Sequence, residues 1–398
     1  MRNGLAAALI VAWLGVAGGA TESSVVSLSA EPARLGSRAL LTDLAKAGRR
    51  FVAVGDRGGV LFSDDAGKTW TQATSMPTQV LLTGVCFSDE RHGVAVGHDE
   101  VILTTADAGV NWKRVHDSPE AQQPLLDVWC GAKGRAIAVG AYGTYYVRRD
   151  GGAQWEGRKL EPVKVTAGAV EVSSGNDGAR VVPPTSGAAN SGVVAASGNG
   201  VSAAKASTAR NGATFSSAEA AAVNGDSEPG ADSSFDDGLG SDFHLNAIAA
   251  ASATRLYIAA EAGHLYRSDD AGETWVELPS PYEGSFFAVL AMSADGVLVG
   301  GLRGHAYKSD DAGNTWTRVE TSTTATLTSI AVVAPGSTLA MVGLAGALLA
   351  SRDGGNTFTM RYEPDRKGFS AALGSGPYEI VAVGEAGVEQ ISLAGRLP

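Results

Sequence analysis

Short runs of small and aliphatic residues recur along the chain, and Gly or Asp bounds each run. Residues 82–117 show the pattern most clearly. Thr83–Phe87, Gly93–Gly97, Val101–Thr105 and Trp112–Val115 each have the length and residue types of a strand. Four short strands in succession are typical of one antiparallel blade of a β-propeller. The pattern therefore predicts a chain of small, repeated sheets.

An eight-residue motif, Ser-x-Asp-x-Gly-x-Thr-Trp in its full form, falls between the predicted third and fourth strands. Asp can accept hydrogen bonds from nearby backbone N–H groups, Gly permits a positive φ, and Trp buries a large area between sheets. The motif is therefore predicted to be structural, and each Asp lies in a different repeat, so no metal site is predicted. The predicted structural residues are Asp65 and Trp70, Asp107 and Trp112, Asp150 and Trp155, Asp270 and Trp275, Asp311 and Trp316, and Asp353 and Phe358.

The spacing of the repeats predicts the fold. The closing aromatic residues of the motif are about 42 residues apart, except between Trp155 and Trp275, and this period is typical of propeller blades. A second motif, Gly-x-x-Gly, follows the predicted second strand and recurs seven times if two degenerate copies are counted. We therefore predict an all-β, seven-bladed β-propeller of four-stranded antiparallel blades. The seventh unit lacks a fourth strand, and Val25–Leu28 is predicted to supply it and to close the ring.

The chain divides into four parts. Residues 1–20 have a charged start, an apolar middle and small residues before a cleavage site, which predicts a signal peptide. Residues 21–160 are predicted to form blades 1–3 and residues 244–398 blades 4–7. Residues 161–243 are rich in Ala, Gly, Ser and Asn, and we expect a low-complexity, disordered insertion there.

The signal peptide predicts an exported protein, periplasmic in a Gram-negative cell and otherwise secreted. No later stretch is long and apolar enough to predict a transmembrane span. The net charge of -11 argues against nucleic acid as a partner, because phosphate contacts need a basic surface.

The two cysteines, Cys86 and Cys130, lie in neighbouring repeats. When the repeats are aligned, the two thiols fall on opposite faces of their own blades, and opposite faces meet where blades stack. An inter-blade disulfide is therefore permitted, and two buried free thiols are the alternative.

The variable residues of the Gly-x-x-Gly turns are the candidate binding residues. A regular backbone that carries irregular side chains is how repeat proteins present a binding surface. The predicted contacts are Arg57, His98, Tyr142, Arg303 and Glu385. The long insertion should lie on the same face of the disc as these turns.

No catalytic residues and no cofactor are predicted. The sequence has no Gly-x-Ser-x-Gly, no metal-spaced His pair and no phosphate-binding loop. The Asp motif also occurs in sialidases, where it is structural. A carbohydrate-binding or glycoside-hydrolysing propeller, sialidase-like in the second case, is therefore the alternative function.

The tandem of Val-Gly-x-x-Gly and the Asp motif resembles the photosystem II assembly and stability factor family. It is present as Val54–Gly58 with Ser63–Trp70, and as Val139–Gly143 with Arg148–Trp155. The resemblance implies a seven-bladed propeller with Asp-box (BNR) repeats, as in the relatives from bacteria that do not photosynthesise. It further implies a non-enzymatic assembly scaffold whose protein partner belongs to a membrane complex.

Overall fold

A computed structural model describes residues 29–31, 33, 36–163, 243–334 and 337–394. These residues form seven antiparallel sheets, six with four strands and one with three. The predicted seven-bladed β-propeller is thereby confirmed. The described part of the chain contains short 3-10 helices and no α-helix. None of these helices is long and apolar enough to cross a membrane.

Blades 1–3 precede the insertion. Blade 1 consists of β1 (Leu41–Ala47), β2 (Arg50–Gly55), β3 (Val60–Ser63) and β4 (Thr71–Gln72); blade 2 of β5 (Leu82–Phe87), β6 (Gly93–Gly97), β7 (Ile102–Thr105) and β8 (Lys113–His116); blade 3 of β9 (Leu125–Cys130), β10 (Ala136–Gly140), β11 (Thr144–Arg148) and β12 (Glu156–Lys159).

Blades 4–7 follow it. Blade 4 consists of β13 (Leu245–Ala250), β14 (Leu256–Ala260), β15 (Leu265–Ser268) and β16 (Val276–Glu277); blade 5 of β17 (Phe286–Ala291), β18 (Val297–Gly301), β19 (Ala306–Ser309) and β20 (Thr317–Val319); blade 6 of β21 (Leu327–Ala334), β22 (Thr338–Gly343), β23 (Ala347–Ser351) and β24 (Thr359–Tyr362); blade 7 of β25 (Phe369–Gly376), β26 (Glu379–Gly384) and β27 (Gly387–Ser392).

The helical elements are three-residue 3-10 turns. They are Gly36–Arg38, Asp56–Gly58, His98–Glu100, Ala132–Gly134, Ala141–Gly143, Glu261–Gly263, Leu302–Gly304 and Leu344–Gly346. Six of them join the second and third strands of blades 1–6, at the sequence positions of the Gly-x-x-Gly motif.

The ring closes between blade 7 and blade 1. Leu41 and Leu44 of blade 1 pack in one buried cluster with Ala371 and Val383 of blade 7. The Nζ of Lys46 also donates to the carbonyl oxygen of Gly374 at 2.6 Å. The first strands therefore surround the axis as a continuous ring, in which their inner edges are short and protected.

Side chains of the first strands form hydrogen bonds between several pairs of successive blades near the axis. A β-bulge interrupts the first strand of every blade at one equivalent position. The bulged Thr42 donates to the carbonyl oxygen of Leu82 at 2.6 Å, and Thr83 repeats this bond to Leu125 at 2.6 Å. We call these inter-blade bonds latches. At the last position, the buried hydroxyl of Ser370 has no hydrogen-bond partner among the described residues.

The Asp motif forms the same turn in most blades. In blade 1, Asp65 accepts hydrogen bonds from the backbone N–H and the hydroxyl of Thr69 at 2.8 and 2.6 Å. These bonds lower the pKa of Asp65 to about 2, and the equivalent bonds do the same for Asp311 and Asp353. In blade 3, Asp150 instead accepts from Arg135 at 2.9 Å, because Arg148 occupies the position of the motif serine.

Cys86 and Cys130 form a disulfide, with an S–S distance of 2.07 Å. It joins β5 of blade 2 to β9 of blade 3. Of the two alternatives that the sequence left open, the structure therefore has the inter-blade bond.

Three of the sequence predictions fall on residues that the structure does not describe. The signal peptide, the strand Val25–Leu28 and nearly all of the insertion lie outside the described residues. Just downstream of that strand, Ala30 donates its N–H to the carbonyl oxygen of Met76 in blade 1 at 2.9 Å. Residues 29–31 thus lie along blade 1, whereas Gly36–Arg38 lie at the turn of blade 7, which has three strands in the described part of the chain.

Candidate functional site on the turn face

The 3-10 turns of blades 1–6 share one unusual backbone conformation. The residue before the last position of each turn has a left-handed φ of 52° to 55°, which non-Gly residues seldom adopt. These residues are Arg57, Asp99, Tyr142, Ala262, Arg303 and Ala345. The backbone therefore places one side chain at the same position in each of six blades, on what we call the turn face.

Backbone atoms that pack against the turns explain the glycine at the end of most of them. A Cβ atom on Gly58 would come within 2.1 Å of the carbonyl oxygen of Thr78, and the same approach recurs between Gly304 and Thr323 at 2.0 Å. A Cβ on Gly387 would likewise meet the carbonyl oxygen of Ser37 at 2.0 Å. At these three turns, the chain segment that leads into the next blade thus packs against the turn and fixes its conformation.

Three of the five predicted binding residues occupy equivalent left-handed positions. The side chain of Arg57 is 89% exposed, that of Arg303 is exposed, and Tyr142 is 48% exposed. His98 and Glu385 lie one residue earlier in their turns. The Nε2 atom of His98 is buried and has no hydrogen-bond partner among the described residues, and a carboxylate oxygen of Glu385 accepts the N–H of Gly368 at 3.1 Å. The turn face therefore presents the first three residues more openly than the other two.

Both ends of the insertion reach this face or the outer edge beside it. The N–H of Gly143, in the turn of blade 3, donates to the carbonyl oxygen of Phe243 at 2.9 Å. Val163 donates its N–H to the carbonyl oxygen of Trp275 at the start of the outer strand of blade 4, also at 2.9 Å. The insertion thus replaces the middle of an ordinary link between two blades.

Three pairs of rings lie at the turns of blades 3–5, and the sequence analysis missed them. Tyr142 contacts His244 edge-on at 4.9 Å between ring centroids. Phe243 stacks on His264 at 3.9 Å, and Tyr282 stacks on His305 at 4.1 Å. The available signal was a His directly after the turn glycine in two consecutive blades. Flat rings that are partly exposed provide a low-entropy contact surface for a partner.

Acidic and basic groups surround these rings. His264 Nδ1 lies 2.6 Å from a carboxylate oxygen of Glu277. Burial and the positive charges of Arg318 and Arg303 lower the pKa of His305. The surface is therefore mixed in charge, with apolar rings at its centre.

Blade 2 is the exception among the turns, because Glu100 stands where the other blades have glycine. Glu100 has a φ of 52° and is only 6% exposed. Its Oε2 accepts a hydrogen bond from the hydroxyl of Tyr146 at 2.9 Å and lies 4.0 Å from His116 Nε2. Burial and the Glu100 carboxylate raise the pKa of Tyr146.

Residues 25–188 match the family model of the photosynthesis system II assembly factor YCF48. This match confirms the family resemblance over that part of the sequence, which is less than half of the chain. No curated protein matches the chain by sequence.

Solved structures with the same fold include two YCF48 proteins. The structure of YCF48 bound to D1 peptide has a TM-score of 0.56 and 16% identity, and the match covers 90% of this chain and 94% of that one. YCF48 from Cyanidioschyzon merolae has a TM-score of 0.57 and 15% identity, with 93% and 99% covered. The WD40 β-propeller domain of Doa1 has a TM-score of 0.53 and 9% identity, with 92% and 95% covered. At these identities the likenesses show the fold.

Proposed function

We infer that this chain, a photosystem II assembly factor-like propeller, is a non-catalytic scaffold that binds an extended segment of a protein partner on its turn face. The observation that carries the proposal is the repeated left-handed position, which presents Arg57, Tyr142 and Arg303 from three blades on one rigid frame. Such a frame loses little conformational entropy when a partner binds.

The relatives support a peptide as the ligand. A YCF48 protein of the same fold has been solved with a bound D1 peptide. The ring pairs of blades 3–5 would provide the apolar contacts, and the exposed arginines would pair with carboxylates or backbone carbonyl groups of the segment. The proposal extends to a membrane-protein complex as the source of the segment and to an exported, periplasmic or secreted location, as the N-terminal signal predicts.

A site-specific photo-crosslink in living cells of the source organism tests this proposal. A photoreactive phenylalanine analogue replaces Tyr142 on the turn face or Tyr378 on the opposite face. The two tyrosines are a matched pair because they are 48% and 44% exposed. Tyr378 marks the opposite face because Arg352, within an Asp motif, lies 5.4 Å from its ring.

We expect the probe at position 142 to capture segments of exported or membrane proteins at least about tenfold more efficiently than the probe at position 378. The double variant Arg57→Ala and Arg303→Ala, which leaves the probe in place at position 142, should reduce this capture. Equal capture from both faces, or capture unaffected by this double variant, would contradict the proposal. Binding of glycans on an array, lost in the triple variant Arg57→Ala, Tyr142→Ala and Arg303→Ala, would replace it with the carbohydrate-binding alternative.

A further inference from the structure

The outer edge of blade 7 differs from that of every other blade. β27 (Gly387–Ser392) is its outermost strand, and no described residue pairs with it on that side. The described N-terminal residues lead elsewhere, since Ala30 bonds to Met76 and the carbonyl oxygen of Glu31 accepts from Gln72 of blade 1. An open strand edge offers unpaired N–H and C=O groups to another extended chain.

The register of the hairpin shows which backbone groups face outward. In blade 1, Val60 pairs with Val54 on one side, and its carbonyl oxygen accepts the N–H of Ala73 on the other. The equivalent pair in blade 7 is Val383 with Val388. Since alternate residues of a strand point their backbone groups to the same side, those of Val388 and Gln390 point away from β26.

One side chain on this edge departs from the pattern of the whole ring. Glu389 pairs with Ala382, and the equivalent positions in the other blades carry large apolar or aromatic residues. These are Leu61, Leu103, Tyr146, Tyr266, Tyr307 and Leu349. A carboxylate at a position that six blades reserve for apolar or aromatic side chains is the kind of local conflict that marks a functional site.

Acidic groups outnumber basic groups around Glu389. It is half-buried, and none of the described residues forms a hydrogen bond or an ion pair with it. Burial and the negative charges of Asp365 and Glu363 raise its pKa, and Lys367 opposes them. Glu363 already accepts hydrogen bonds from Arg361 at 2.6 and 2.9 Å. A half-buried carboxylate in such a place is stabilised by an added cation.

We propose that blade 7 is completed by an extended segment of a partner protein, which adds as a fourth strand to β27 and places a Lys or Arg opposite Glu389. In other blades, the fourth-strand residue that pairs with the position equivalent to Glu389 can be an arginine. Arg114 lies opposite Leu103 in blade 2, and Arg318 lies opposite Tyr307 in blade 5. Main-chain hydrogen bonds supply affinity in this mode of recognition, and the cross-strand charge pair supplies selectivity. This edge site does not depend on the turn face.

Hydrogen exchange of the exported, full-length protein is the first test. The amide of Gln390 should exchange rapidly in the free protein, as expected of an outward N–H without a partner. Protection of this amide in the free protein would overturn the proposal. It would mean that the chain's own N-terminal segment, or a second copy, already occupies the edge.

Binding of two synthetic strand peptides of about nine residues, one alternating Val with Lys and one alternating Val with Glu, is the second test. Fluorescence anisotropy should show the Lys peptide binding at least about fivefold more tightly, and its binding should protect the Gln390 amide. Gln390→Pro removes the outward N–H and should abolish binding. Gln390→Ala keeps that N–H and should bind normally, although it loses the bond from the Gln390 side chain to the carbonyl oxygen of Ala66.

The variant Glu389→Leu, which restores the residue type of the other blades, should abolish the preference for Lys over Glu. This comparison keeps the proposal testable if Gln390→Pro does not fold. Failure of both peptides to bind, or an unchanged preference in Glu389→Leu, would refute the edge site. The triple turn-face variant should bind the Lys peptide normally, so that the two proposals can fail separately.

Discussion

The carbonyl oxygen of Thr323 lies so close to Gly304 that a Cβ atom on the glycine would come within 2.0 Å of it. Gly304 also has a φ of +73°. The turn of blade 5 and the link above it are therefore fitted to each other without room for a side chain.

This contact predicts the effect of Gly304→Ala. The variant has to move backbone atoms as well as adopt a left-handed φ, and we expect it to lower the free energy of unfolding by more than about 2 kcal/mol. Gly134→Ala is the matched control, because Gly134 has a φ of +76° and no atom within 4 Å of its Cβ position. It should lower the free energy of unfolding by only about 1 kcal/mol, because only the left-handed backbone conformation is unfavourable for Ala. Equal costs in urea denaturation would show that the contact with Thr323 is unimportant.

The disulfide predicts a reductant-sensitive stability. Cys86 and Cys130 are separated by 44 residues, and cross-linking a loop of that length restricts the unfolded chain. Reduction should lower the free energy of unfolding by about 4 kcal/mol on the chain-entropy model. The double variant Cys86→Ser and Cys130→Ser should have the same low stability with and without reductant. A wild-type denaturation curve that does not respond to reductant would contradict the prediction.

The Asp motifs predict a loss of stability in acid. The folded pKa of Asp311 is about 2, below its usual value of 3.8, because Thr315 and Ser309 donate hydrogen bonds to the carboxylate. A depressed folded pKa adds stability above the unfolded pKa, and this stability is lost as the pH falls from about 4 towards 2. The urea midpoint should therefore decrease across that range.

The variant Asp311→Asn should have a lower midpoint at pH 7 and a shallower decrease below pH 4. Asp310→Asn is the control, since Asp310 is 77% exposed and makes only a 3.3 Å ion pair with Lys308. The same acid dependence in both variants would count against the role of the motif hydrogen bonds.

The burial of the motif tryptophans differs between blades, and their substitution should differ accordingly. Trp275 is 2% exposed and packs in the core between blades 3 and 4. Trp275→Ala should cost about 3–5 kcal/mol. Trp155 is only partly buried. Trp155→Ala should lower the free energy of unfolding by clearly less, as measured in the same thermal or chemical denaturation. A larger loss for Trp155→Ala than for Trp275→Ala would contradict this prediction.

The sequence predicted the blades well because each motif residue has a local task that repeats. An Asp that folds a turn and an aromatic residue that fills a seam leave a similar signature in blades 1–6. The ring pairs on the turn face could not be predicted in this way. Phe243 and His264 belong to different elements, and only the passage of the link over the turns brings their rings together.

Blade 7 shows a second limit of the sequence pattern. When the sequence of blade 7 is aligned on that of blade 1 by Gly387 and Gly58, Glu389 falls at the position of Val60. This alignment predicts its side chain on the wrong face of the sheet. The turn of blade 7 is one residue shorter, so that Glu389 instead matches Leu61 in the register of the hairpins. A change of one residue moves a strand's side chains to the other face, and repeat spacing alone does not reveal it.

The seam between blades 7 and 1 is the expected breaking point of the ring. Ser370 forms no latch there among the described residues, and although the Lys46 bond and a buried apolar cluster bridge the two blades, the chain has no covalent link between them as successive blades. Heat or mechanical tension should therefore part the molecule first between its last and first blades. From there it would come apart progressively, one blade after another, from two newly created ends.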